Sequence, residues 1–519
     1  MKKNLLIIVF VLVGCAKNYA QKRELGNVTI EELKEKVCPN DSSAVAAILF
    51  EKGKTFFEYK QDEGFILVTE VETKIKIYKK EGYNWANKEV SVYTGANPIE
   101  VVDFSKAITY NLVNNQVEKT KLKSDGEFYE KVNKFWSKRK ITLPNVKEGS
   151  IIEFKYTIKS PFLSTFPDWS FQNIIPVNYS EYTTDIPEYY FYNVYRKGFL
   201  TLKETKDKLS KTIRFDDKKL PTGKVVGGYT HNVTEVNYSD TRTTYKLENV
   251  PAMKEESFVN NIDNYRASIE HELSGKQMPQ TIFESFSTTW EDVAKKIYEN
   301  EDFGAQLDKN NYFEEDLKVL LQGLNTREEK VATILKFVQS RMTWDKYNSY
   351  LCDVGVKKAY QNKIGNSAEI NLMLVSMLRY AGFNADPVLI STRSNGIALF
   401  ASRTAFNFVI AGVTFDNELI LLDATSKISS PNILPLYDLN WFGRIIRKSG
   451  TSESVDLMPK IISNDVVNML IAIDEKGLEN AIGIELVTVF KDKDGKEQIY
   501  STQEFELINK ENNLYTFST

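Results

Sequence analysis

The feature that most constrains this chain is a change in the spacing of its apolar residues. Between Lys54 and Asn249 they recur at alternate positions, as in "GFILVTEVETKIKIY" and "SIIEFKYTI", in runs bounded by Gly, Pro and Asn. A period of two belongs to a strand with one face in a core. In "LPNVKEGSIIEFKYTIKSP", Pro144 and Gly149 bracket a turn; Ile152, Phe154, Tyr156 and Ile158 then share one face, and Glu153, Lys155 and Thr157 the other. Residues 54–250 therefore read as an all-β unit, a β-sandwich.

From Thr289 the period becomes helical. "TREEKVATILKFVQSRM" opens with Thr326 and Glu329 at capping-box spacing and sets Val331, Ile334, Leu335, Val338 and Met342 on one stripe. "KIGNSAEINLMLVSMLRYAGF" does the same with Asn366 as N-cap, Glu369 as its partner and Gly382 as terminator. Its stripe of Ile370, Met373, Leu374, Met377, Leu378 and Ala381 is widened by Leu372 and Val375, which predicts a central helix buried on more than one side. Three strand-like runs follow, "PVLIST", "FNFVIAGVTF" and "ELILLDAT", so residues 289–445 read as an α+β domain. From 448 to 519 strands return, as a partial C-terminal β domain with Asp494–Gly495 as a tight turn. Asp492, Asp494 and Gly495 lack the first ligand and the closing glutamate of a calcium loop, so the turn is read as a hairpin.

Several functions are excluded. With 67 basic and 70 acidic residues the chain has no field to attract nucleic acid. Two histidines, His231 and His271, and three cysteines, Cys15, Cys38 and Cys352, cannot build a zinc cluster, so neither a metal nor a cofactor is expected. Both histidines read as surface or strand-edge residues, and Cys352, in "SYLCDVGVKK", as an ordinary thiol without an imidazole partner. At the amino terminus, Lys2 and Lys3 precede an apolar run from Leu5 to Val13 that is too short to span a bilayer but suits an export signal over residues 1–20. Two cuts fit: before Cys15, as in a lipoprotein box that would lipidate Cys15 and attach the chain to a membrane, or before Gln21. The expected location is the periplasm or outer membrane.

Gly365-Asn366-Ser367 at a helix start, the strand Phe406-Asn407-Phe408-Val409-Ile410 and the strand Leu421-Leu422-Asp423-Ala424-Thr425 resemble the three parts of the transglutaminase-like (papain-like) superfamily that carry a Cys-His-Asp triad. The resemblance implies that Ser367 stands at the cysteine position, Phe408 at the histidine position and Asp423 at the aspartate position. Two of the three are lost, and no catalytic residue is expected. A serine hydroxyl is far less acidic than a thiol of pKa about 8.5 and needs a base that Phe408 cannot supply. The β-rich first part, with "PNVKEGSIIEFKYTI" and "IIPVNYSEYTTDIPEY", resembles the domain of unknown function 3857, found ahead of transglutaminase-like domains in exported bacterial proteins.

The expectation is a multidomain α+β protein without catalysis, a binding or scaffold module. Its partner would be a peptide, a glycan or an envelope protein held in a cleft lined by Trp344, Tyr347, Tyr350, Phe408 and Trp441. The alternative is an acyl-transfer or peptide-cleaving enzyme with a site rearranged around Ser367 and Asp423.

Overall fold

The computed structural model describes residues 23–518 apart from 62, 220–229, 287–288, 399–400, 402–404, 417, 461–462, 475–476, 492–496 and 512–513. The expected signal with Cys15, both cleavage sites and the Asp494–Gly495 turn lie outside the described residues. The chain divides into two units between residues 287 and 288. Among the described residues no helix is long and apolar enough to cross a membrane.

The first unit is built on an eight-stranded sheet. Its strands run in the order Lys203–Lys219, Thr230–Val250, Val177–Pro187, Ala46–Lys60, Gly64–Ile77, Ile151–Ser160, Val101–Val113 and Gln116–Lys121. Ala46–Lys60 and Val177–Pro187 pair in parallel and the other neighbours antiparallel. Two smaller sheets complete the unit, a three-stranded one centred on Trp136–Thr142 and a four-stranded one that includes Tyr190–Lys197 and Ser268–Lys276. The alternation over 152–156 has its expected result on one face, where Ile152, Phe154 and Tyr156 join the main core.

The opposite face of that strand departs from expectation. Glu153, read as an outward residue, is fully buried. The segment that precedes the sheet, with the short helix Ile30–Lys34, supplies one of its partners and the neighbouring strand Val101–Val113 two more. Glu153 Oε2 accepts from the Gly26 N–H (2.8 Å) and the Tyr110 hydroxyl (3.0 Å) and pairs with Lys106 Nζ (3.2 Å). Lys74 and Lys76 reach the same segment: Lys74 Nζ donates to Asn27 O (2.8 Å) and Glu32 (2.8 Å), and Lys76 Nζ to Leu33 O (2.9 Å). A charged side chain can be buried when it finds such partners, and its type alone does not reveal them. Burial lowers the Lys76 amine to about 8.

The second unit follows the change of period. Helices at Trp290–Tyr298, Gly304–Leu307, Glu314–Leu320 and α1 (Arg327–Arg341) precede Val356–Asn362 and α2 (Ser367–Tyr380). A five-stranded antiparallel sheet is formed by β1 (Asn384–Ile390), β2 (Phe408–Phe415), β3 (Glu418–Leu422), β4 (Phe442–Ile446) and β5 (Ser452–Asp456), in the order β3-β2-β1-β4-β5. α1 carries the Thr326–Glu329 capping box and buries Val331, Ile334, Leu335 and Val338. α2 packs against β1 and β2, and every residue from Ser367 to Leu378 is buried. Gly382 follows it in the left-handed region at φ +86°. A separate four-stranded antiparallel sheet runs from Ser463 to Ser518.

Candidate functional site

The start of α2 is a closed set of hydrogen bonds. Asn366 Oδ1 accepts from the Glu369 N–H (3.0 Å), and Glu369 Oε2 accepts in return from the Asn366 N–H (2.8 Å). The other Glu369 oxygen takes the backbone N–H groups of Val354 (2.7 Å) and Gly355 (3.1 Å). One carboxylate thus holds three backbone donors from the helix start and the loop before it. Gly365 leaves room for this return of the side chain: a Cβ there would stand 3.0 Å from both Glu369 Cβ and Oε2.

Ser367 is fully buried. Its hydroxyl donates to the Ser349 carbonyl (2.7 Å) and accepts from the Ser349 N–H (2.8 Å). Both bonds go to the backbone of the preceding loop, so the hydroxyl acts as a clasp between that loop and the helix. Asn366 Nδ2 adds a bond to Leu351 O (2.9 Å).

Phe408, the first residue of β2, is also fully buried. Its ring meets Trp344 edge-on at 5.9 Å and Tyr437 at 5.9 Å, and Trp344 lies 5.5 Å from Tyr437. Trp344 is positioned beside the helix start because Thr343–Trp344 pairs in parallel with Ile364–Gly365. Its indole N–H donates to Tyr347 O (3.2 Å). An aromatic cluster therefore occupies the surroundings of residue 408.

Asp423 directly follows β3 and is fully buried. Oδ1 accepts from Asn371 Nδ2 (2.8 Å) and the Thr425 N–H (2.9 Å), and Oδ2 from the Thr425 hydroxyl (2.6 Å) and the Tyr437 hydroxyl (3.0 Å). Asn371 joins the parts: from the first turns of α2 it also donates to Val409 O on β2 (2.9 Å) and accepts from the Ala424 N–H (2.9 Å). Asp438 lies beside Asp423, and burial together with the Asp423 charge holds its carboxyl well above the ordinary range. Burial, with the same two carboxylates, also raises the Tyr437 phenol.

The structure thus links the surroundings of Ser367, Phe408 and Asp423 through Trp344, Tyr437 and Asn371, without a described hydrogen bond between any two of the three. Asn371, Thr425, Tyr437 and Asp438 were not singled out from the sequence. A signal for Asn371 was present: it is an amide within the most apolar helix of the chain, and a polar group at such a position must find partners. Cys352 is a buried thiol that forms no disulfide. Trp441, expected in a cleft, is 54% exposed, whereas Trp344, Tyr347 and Tyr350 are partly buried. Among the described residues no group of three or more His, Cys, Asp or Glu side chains could hold a metal ion.

His271 departs from its expected place at a surface or strand edge. It is 6% exposed, with its ring 4.5 Å from Phe166, 6.1 Å from Tyr182 and 6.3 Å from Tyr245. Neither ring nitrogen has a hydrogen-bond partner among the described residues, and burial lowers the imidazole to about 4. The sequence "IEHELSG" surrounds it with charge, but strand alternation sends those neighbours to the opposite face.

Comparisons with known proteins bear on the fold. Residues 99–224 match the family DUF3857, a "Domain of Unknown Function with solved-structure structure". The crystal structure of a "putative protease" from Parabacteroides distasonis is similar at a TM-score of 0.52 and 11% identity, over 90% of this chain and 94% of that one. A "putative cysteine protease" from Cytophaga hutchinsonii aligns over 56% of this chain and 86% of that one at 11% identity, but its TM-score of 0.20 carries no argument. At such identities the first likeness carries the fold and no chemistry. No curated protein matches the chain.

Proposed function

We propose that this chain is an exported transglutaminase-like protein without catalysis, acting as a binding or scaffold module in the bacterial envelope. In this reading it is either lipid-anchored through Cys15 or released by a cut before Gln21. The observation that carries the proposal is the use of the polar groups at the would-be site. The Ser367 hydroxyl is spent on the Ser349 backbone and the Asp423 carboxylate on four internal donors, while Phe408 is packed among aromatic rings.

A nucleophile needs a base within about 2.6–3.2 Å of its proton. The Ser367 hydroxyl gives its proton to a carbonyl oxygen, which is no base. A peptide, glycan or envelope protein remains the candidate partner, with Trp441 an exposed aromatic on the same unit.

The test is turnover. The native protein is expected to hydrolyse no peptide or acyl ester and to transfer no acyl group to an amine, with the same traces from a Ser367→Ala variant. Turnover by the native protein that Ser367→Ala abolishes would establish the rearranged acyl-transfer or peptide-cleaving site instead.

A further inference from the structure

We draw no further inference here: the strongest candidate, the surface patch at the start of β4 where Trp441, in the left-handed region at φ +64°, and Phe442 are both more than half exposed, carries no proposal because nothing in the structure shows what covers it.

Discussion

His271 in the first unit and Asp438 in the second are both buried titratable side chains with too few polar partners, and burial acts on them in opposite senses. Burial lowers the His271 imidazole and raises the Asp438 carboxyl. The rule is the same, since a low-dielectric site disfavours the charged form of either group. The two groups therefore act in opposite directions: the His271 contribution to stability is lost in acid, and the Asp438 contribution in alkali. Glu369 supplies the contrast: it is a buried carboxylate as well, but three backbone N–H groups are aimed at it.

That contrast yields the largest expected effect. A Glu369→Leu substitution strands three backbone N–H groups, that of Asn366 buried and those of Val354 and Gly355 part-buried, at up to about 1–3 kcal/mol each, and should destabilise the second unit by about 3 kcal/mol or more. Thermal unfolding measures it, and a loss below about 0.5 kcal/mol, the size of an ordinary surface change, would show that the helix start is not the closed network described.

His271 gives the next effect. Its folded value near 4 lies below the ordinary 6.5, so the unfolded chain takes up a proton that the folded unit refuses. The stabilisation is full above pH 6.5 and is lost as pH falls towards 4, in all about 3 kcal/mol. Denaturant unfolding of the first unit between these limits reads the slope, and His271→Phe should shift it by up to one proton, while the Asp168 and Asp240 carboxyls, raised by desolvation to about 7 and about 6, contribute with the opposite sign in both proteins. Identical slopes in the two proteins would assign no acid sensitivity to His271.

The smallest effect belongs to Asp438→Asn. Neither carboxyl oxygen of Asp438 accepts a hydrogen bond among the described residues, so the amide loses none and stability at about pH 5 should change by less than about 1 kcal/mol. A cost several times larger would mean that Asp438 is held by donors.

These residues also mark where the sequence was legible. The capping pairs Thr326–Glu329 and Asn366–Glu369, the buried stripe of α2 and the strands β1, β2 and β3 could be read because each rests on local spacing or on helix-end chemistry. Glu153, Lys74 and Lys76 could not, because their partners lie far off in sequence, on the segment before the sheet and, for Glu153 and Lys76, also on a neighbouring strand or turn. His271 was obscured by charged neighbours that face the other way. The Asp423–Asp438 pair joins the turn after β3 to a loop beyond it, and no spacing rule links those two positions. At the candidate site, the residue types at 367, 408 and 423 were visible, but the donors that occupy Ser367 and Asp423 were not.

The central claim is that the site around Ser367 is closed, with its polar groups turned inward. The most direct measurement is the rate at which iodoacetamide alkylates a Ser367→Cys variant, located by mass spectrometry so that Cys38 and Cys352 are counted separately. A thiol reached only through local opening should react at least about 100-fold more slowly in the folded protein than in the unfolded chain. Alkylation of residue 367 at the rate of a free thiol would contradict the account, because it would mean that the helix start opens into an accessible cleft.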